Sequence, residues 1–292
     1  MIKEHYLLYL DILGFSEMAK SQERVLNLYQ IIDKLNVHQH DAFKSILFSD
    51  TLLVYNLYEP QNAHDHHYNI MYLAEFAQDL LFRLIGRDYY FRAILTKGEF
   101  KHNKFDNIEA FFGKALIDSY RDEKNLIGCG LFIDSTLLKN NLIFSTHPHC
   151  NKYHYVFLTQ CIDYVSKYGK DGYPFPGILL DNTDMTFHTY AQITFLKDLY
   201  KKSLTHTNPK VRSKFQATWY FYKIKYSSLC KKLEDTGFNF SEISDANWEE
   251  AQSFFEKELK SDYYKFDPNY CTDFVEKTLV EKPKLQPRKL TQ

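Results

Sequence analysis

Two aspartates stand where they could do chemistry. Asp11 ends the short apolar run Tyr6 to Leu10, and Asp50, 39 residues later, interrupts a stretch rich in β-branched and aromatic residues. Carboxylates select hard divalent cations such as Mg²⁺ or Mn²⁺, and oxygens of a phosphorylated ligand complete the coordination shell. Against that stands the plain preference of aspartate for turns. Two arginines, Arg92 and Arg121, have the planar guanidinium that suits phosphate oxygens. Each also has an ordinary explanation: a strand-edge salt bridge for Arg92, and pairing with Asp118 or Glu123 for Arg121.

Other groups point nowhere specific. His64, Asp65, His66 and His67 read as a solvated loop between a hairpin and a helix. His147, His149 and Cys150 surround Pro148 in what reads as a turn, with no standard zinc spacing. There is no GxSxG elbow, no phosphate-binding Walker loop and no GxGxxG. The five cysteines form no CxxC pair, which fits reduced thiols in a cytoplasmic protein.

The elements that must position Asp11 and Asp50 follow from periodicity. The run ending at Asp11 reads as a buried strand. Met18, Val25, Leu28, Ile31, Ile32 and Leu35 predict a helix over 16–36. A hairpin over 42–58 has Ser49-Asp50 at its tip, and helical spacing returns over 68–85. A strand over 89–95, a helix from Gly113 to Glu123 and a strand over 130–134 complete the order β, α, β, β, α, β, α, β. A split βαβ order with a hairpin after the first helix is ferredoxin-like, so the fold class is α+β. In that arrangement the first strand and the hairpin are neighbours, and both aspartates reach one end of the sheet. Beyond residue 150 come weak strands at 154–158 and 176–180, then helices near 187–205, 209–235 and 245–260, and a tail from 281 that reads as mobile.

Composition narrows the classes. With 36 Lys+Arg against 37 Asp+Glu, the net charge of −1 argues against a nucleic-acid binder held by bulk charge. With 45% hydrophobic and 17% aromatic residues, disorder is not expected and a ring-rich core is. No run approaches the roughly 20 apolar residues that span a bilayer, and the first residues lack the ordered regions of a signal peptide.

Four segments together carry a resemblance. Tyr9-Leu10-Asp11-Ile12-Leu13-Gly14-Phe15-Ser16 resembles the first metal motif of class III nucleotide cyclases, F-x-D-I-x-G-F-[ST]. Phe48-Ser49-Asp50-Thr51 stands where that family has a Gly-Asp pair. Phe91 to Glu99 is similar to the strand R-x-G-I-H-x-G, and Gly113 with Arg121 and Glu123 resembles the helix G-x-x-x-N-x-A-x-R-x-E. The resemblance covers residues 5–135. It implies a class III catalytic domain over 1–185, with a helical extension over 186–280 and a tail over 281–292.

The resemblance also implies roles. Asp11 and Asp50, with the backbone carbonyl of Ile12, would hold two Mg²⁺ or Mn²⁺ ions, one helping to activate the ribose 3′-hydroxyl and one neutralising the β- and γ-phosphates. Backbone amides at Leu13, Gly14, Phe15 and Ser16 would cradle the triphosphate. Arg92 would contact phosphate and Arg121 would stabilise charge at the α-phosphate. In this family the aspartates and that arginine come from opposite subunits, so a homodimer with two shared sites is implied.

Two positions depart from the pattern. The helix asparagine falls on Ile117, and the base-selecting lysine falls on Ile46. The combination resembles the bacterial pyrimidine nucleotide cyclases of anti-phage (Pycsar-type) defence, which implies UTP or CTP as substrate. Val211 to Tyr220 is similar to a basic-aromatic helix following their cyclase core; equally, Arg212, Lys214, Lys223 and Lys225 form a surface stripe over packed rings. An adenylate or guanylate cyclase with an unusual pocket, and a cyclase-like module that binds nucleotide without turnover, remain as alternatives.

Overall fold

The computed structural model describes residues 4–35, 38, 40–180 and 183–260. Strand β1 (Glu4–Ile12) is buried along Tyr6 to Leu10, as a continuous apolar run requires when both faces are covered. The expected single helix over 16–36 is instead one turn, α1 (Phe15–Met18), followed by α2 (Gln22–Asp33). Ser21 causes the break: its side chain accepts the Arg24 amide and caps a new helix. Strands β2 (Phe43–Phe48) and β3 (Thr51–Asn56) form the hairpin, with Ser49 at φ 56° in the turn. Helix α3 (Ala63–Leu84) starts earlier than its apolar stripe, because Asn62 caps it through the Asp65 amide at 3.0 Å.

After β4 (Phe91–Glu99) comes a hairpin that the pattern did not predict, β5 (Lys101–Lys104) and β6 (Glu109–Phe112). Then follow α4 (Lys114–Glu123), β7 (Gly130–Asp134), β8 (Thr146–Pro148) and β9 (Tyr153–Val156). The remaining elements are α5 (Gln160–Tyr168), α6 (Thr183–Thr205), α7 (Pro209–Lys225), α8 (Ser227–Asp235) and α9 (Trp248–Lys260). The strand expected over 176–180 is a 3₁₀ turn, Gly177–Leu180, whose first amide bonds the Asp245 carboxylate. One helix expected over 209–235 is two, broken at Tyr226, whose hydroxyl is drawn to Asp163 at 2.6 Å. The tail from 281 lies outside the described residues.

The sheet order is β2-β3-β1-β4-β7-β9-β8. Its first four strands, antiparallel throughout, are the ferredoxin-like unit; β7 then adds parallel to β4 after α4 crosses over. The fold is therefore α+β, with a helical C-terminal region. On one face Tyr6, Leu8, Leu10 and Ile12 join the large core with α2 and α3. On the other, Leu7, Tyr9, Leu53 and Tyr55 form a smaller core with Phe100 and Ala115. The C-terminal helices share the large core: Phe221 lies 4.7 Å from Tyr155 and Tyr222 lies 5.3 Å from Phe157, ring centre to ring centre.

Helix α4 sits close on β4 because two positions lack side chains. A Cβ at Gly98 would touch Ala115, and one at Gly113, at φ 140°, would collide with the backbone of Glu99 and Phe100. Gly113→Ala is accordingly expected to destabilise the protein by about 3 kcal/mol through overpacking and backbone strain. Gly14→Ala, at φ 76° with open space around it, should cost only about 1 kcal/mol. Chemical denaturation of the two variants checks the difference.

Candidate active site

The C-terminal end of β1 gathers the site. Asp11 faces Thr51 of β3 on one side and Arg92 of β4 on the other. The Ile12 amide donates to the Asp50 carbonyl at 2.9 Å, which ties the hairpin tip to the strand end. A second tie comes from α2, where the Tyr29 hydroxyl donates to the Ser49 carbonyl at 3.1 Å. The structure thus brings Asp11, Ile12 and Asp50 together at one edge. Tyr9 is buried two residues before Asp11; burial pushes its hydroxyl up to about 12, against a hydrogen bond from Thr51 and with Asp11, Glu123 and Asp50 adding to the rise.

Negative charge is in surplus here. Burial first, then Glu123 and Asp50, push the Asp11 carboxyl up from 3.8 to about 7, while Arg92 and Lys214 pull the other way. Such a carboxylate gains from a neighbouring cation. Asp11, Asp50 and the Ile12 carbonyl offer only hard oxygen donors, so the residues present fit Mg²⁺ or Mn²⁺. Among the described residues no three His, Cys, Asp or Glu side chains are grouped to hold a metal. A cation at Asp11 and Asp50 would take its other ligands from water or phosphate oxygens.

The two arginines differ in kind. Arg92 is 5% exposed; its Nε donates to Glu123 at 2.7 Å, a second nitrogen bonds the same carboxylate, and a third donates to the Leu126 carbonyl at 2.5 Å. Breaking a buried pair of this sort costs about 3–5 kcal/mol. The expected phosphate contact from Arg92 is therefore replaced by a structural one: Arg92 anchors Glu123, and with it the end of α4, beside Asp11. Arg121 is 63% exposed on α4 and pairs with Asp118 and Asp122, each at 3.0 Å. Exposed pairs are worth about 0–1 kcal/mol, so Arg121 can exchange them for another anion.

The segment Leu13 to Ser16 is a turn into α1, with Gly14 left-handed. The Leu13 amide is taken by the Tyr90 carbonyl at 2.9 Å, which removes it from the expected cradle. The amides of Gly14, Phe15 and Ser16 have no acceptor among the described residues. Ile46 packs against the smaller core, and Ile117 projects from α4 at 62% exposure.

His64 to His67 do not form a loop. They open α3, where His66 meets the Tyr6 hydroxyl at 2.6 Å and His67 the Asn140 carbonyl at 2.9 Å. His147 and Pro148 belong to β8, and His149 packs on Phe132 and Phe221. Sequence reasoning gave no site role to Glu123 or Lys214. The signal for Glu123 was its place in the α4 motif; Lys214 lies in the basic-aromatic stretch Val211 to Tyr220, whose sequence reading stood open between a resemblance and a surface stripe.

No family model matches the chain, and no curated protein matches it. Among solved structures it is similar to the adenylyl cyclase CyaB from P. aeruginosa, at 12% identity over 53% of this chain and 94% of that one, with TM-score 0.38. It is similar to the guanylate cyclase domain of RhGC from Catenaria anguillulae in complex with GTP, at 14% identity, 53% and 97% coverage and TM-score 0.40. A monomeric guanylyl cyclase domain of the RhoGC fusion protein from the aquatic fungus Blastocladiella emersonii gives 16% identity, 53% and 95% coverage and TM-score 0.41.

Two outcomes are expected. Arg92→Met should lower stability by about 3–5 kcal/mol by leaving Glu123 buried and unpaired, whereas Arg121→Ala should change it by less than about 1 kcal/mol. Urea titration separates them. Because the Asp11 pKa rises on folding, the folded state holds its proton longer, so the metal-free protein loses stability as pH climbs from 3.8 to about 7 and no more above that. Thermal melts of Asp11→Asn should run above wild type at pH 8 and converge with it below pH 4.

Proposed function

We propose that this chain is a metal-dependent nucleotide cyclase of the class III type, with a catalytic domain over 1–185 followed by an extension over 186–280, of which 261–280 lie outside the described residues. One observation carries the reading: the hairpin tip is bonded to the end of β1, so that Asp11 and Asp50, each inside a segment that resembles a metal motif, share one sheet edge. The reaction would convert a nucleoside triphosphate to its 3′,5′-cyclic monophosphate. The ribose 3′-oxygen bonds the α-phosphorus, the α-phosphorus–oxygen bond to pyrophosphate breaks, and the hydroxyl proton leaves.

Bound divalent cations would supply Lewis acidity for the 3′-hydroxyl and neutralise phosphate charge. The chain's own residues would do the rest. Asp11 and Asp50 would set where the cations and the triphosphate lie. The amides of Gly14 to Ser16 would meet phosphate oxygens. Arg121 would stabilise charge at the α-phosphate of the other protomer's site, a role that suits its exposure on α4.

A homodimer with two shared sites is part of this proposal. Phe48, 78% exposed, stands two residues from Asp50, and Ile117 and Tyr120 stand exposed on the helix that holds Arg121. Apolar side chains bracketing both halves of the site suit a second copy of the chain. Pyrimidine specificity, UTP or CTP, is supported by the apolar Ile46 at the base-selecting position. By the same resemblance the product would be a second messenger in anti-phage defence.

The purified protein with Mn²⁺ should release pyrophosphate and a cyclic nucleotide from UTP or CTP, but not from ATP or GTP. A purine product would reassign the substrate; nucleotide binding without pyrophosphate release would leave a binding module. Asp50→Ala and Arg121→Ala should each lower the rate on the order of 10²-fold or more, and mixing the two variants should restore part of it. Restoration is measured as product formed; its failure with both variants folded and dimeric argues against shared sites.

A further inference from the structure

We propose that Lys214, brought from the C-terminal helical region, is a phosphate-binding residue of the Asp11–Asp50 site. The inference rests on the cyclase reading for the identity of the ligand as a nucleoside triphosphate.

Helix α7 is docked at the same sheet end as the acidic cluster. Its Thr218 Oγ1 accepts the Cys129 amide at 2.7 Å, and Cys129 directly precedes β7, whose Gly130 lies opposite Arg92. Its Phe215 meets Tyr90 edge to face at 4.8 Å, and the Tyr90 carbonyl is the group that takes the Leu13 amide. Lys214 lies next to Phe215 and one turn before Thr218, on the docked side of the helix. Burial first and then Arg92 hold its ammonium below the usual lysine range, while Cys129, Glu123 and Asp11 act in its favour.

The other cations once grouped with Lys214 as a surface stripe are accounted for elsewhere. Arg212 donates to the His206 carbonyl at 3.2 Å, Lys223 pairs with Glu234 at 3.0 Å and Lys225 with Asp163 at 3.5 Å. Lys214 is half-buried and has no salt bridge or side-chain hydrogen bond among the described residues. Setting an ammonium there without a close partner costs free energy unless an anion meets it. Glu123 is already claimed by Arg92, and Asp11 is claimed by any bound cation. The triphosphate oxygens are then the acceptors that remain, and a lysine suits them as a point charge. This makes α7 part of the catalytic unit rather than a neighbour of it.

The test is binding of inorganic tripolyphosphate with Mn²⁺ to the full chain, by calorimetry, beside the nucleotide assay. Lys214→Met should weaken tripolyphosphate about tenfold or more, the size of one charge-assisted hydrogen bond, while Lys214→Arg stays within about threefold and Lys223→Met matches wild type. In wild type, tripolyphosphate should also protect Lys214 from amine acetylation read by mass spectrometry, a readout that needs no variant to fold. Unchanged affinity in Lys214→Met, no binding by wild type, or acetylation indifferent to tripolyphosphate would each overturn the assignment. If tripolyphosphate binding depends on Lys214 but none of the four nucleoside triphosphates is cyclised, the cyclase reading fails and the anion site stands.

Discussion

Three carboxylates, Asp11, Asp50 and Glu123, converge at the end of one strand, and the local structure is arranged around the cost of that convergence. Like charges in a half-buried place oppose ionisation, as the rise of the Asp11 pKa to about 7 records. Arg92 offsets Glu123 by direct bonding, and Lys214 offers a second positive charge from a remote helix. What is left over lies on Asp11 and Asp50, at a sheet end held by the backbone bond from Ile12 to Asp50 and by the Tyr29 hydroxyl on the Ser49 carbonyl. A site that keeps uncompensated negative charge is ready for a divalent cation and unfavourable without one.

The same arrangement sorts the basic residues by burial. Arg92 has lost its water and holds three hydrogen bonds within the chain, so moving it toward a ligand would cost several kcal/mol. Arg121 keeps most of its hydration, and its pairs with Asp118 and Asp122 can be replaced at little cost. An arginine type read from a motif therefore says less than its environment does. The buried one builds the site and the exposed one is free to serve it.

Much of this was legible in the sequence where local chemistry and tertiary structure agree. Tyr6 to Leu10 reads as a buried strand because both faces are in fact covered, and Ser49-Asp50 reads as a turn because Ser49 tolerates a positive φ there. The failures have local causes that periodicity does not see. Ser21 restarts a helix that its apolar spacing would carry through. Tyr226 leaves the helical path where its hydroxyl meets Asp163, 63 residues away. The strand expected at 176–180 turns into 3₁₀ because Gly177 closes on the Asp245 loop. Hairpin β5–β6 is hidden because buried His102 is paid for by Tyr55 and Glu109 rather than announced by an apolar residue.

The acidic pair was readable and the basic complement was not, for a physical reason. Asp11 and Asp50 are brought to one sheet end by adjacent strands, so sequence order already implies their proximity. Lys214 reaches them only through the docking of Thr218 on Cys129 and of Phe215 on Tyr90, contacts 89 residues apart in the first case. A helix with lysines and rings looks like a solvated surface until its neighbours are known. Once docked on Cys129 and Tyr90, it brings the helical region to the same charges as the sheet end. Stability of that contact and occupancy of the acidic edge are thereby coupled: whatever neutralises Asp11 and Asp50 also changes the field at Lys214, and whatever loosens α7 removes a positive charge from them.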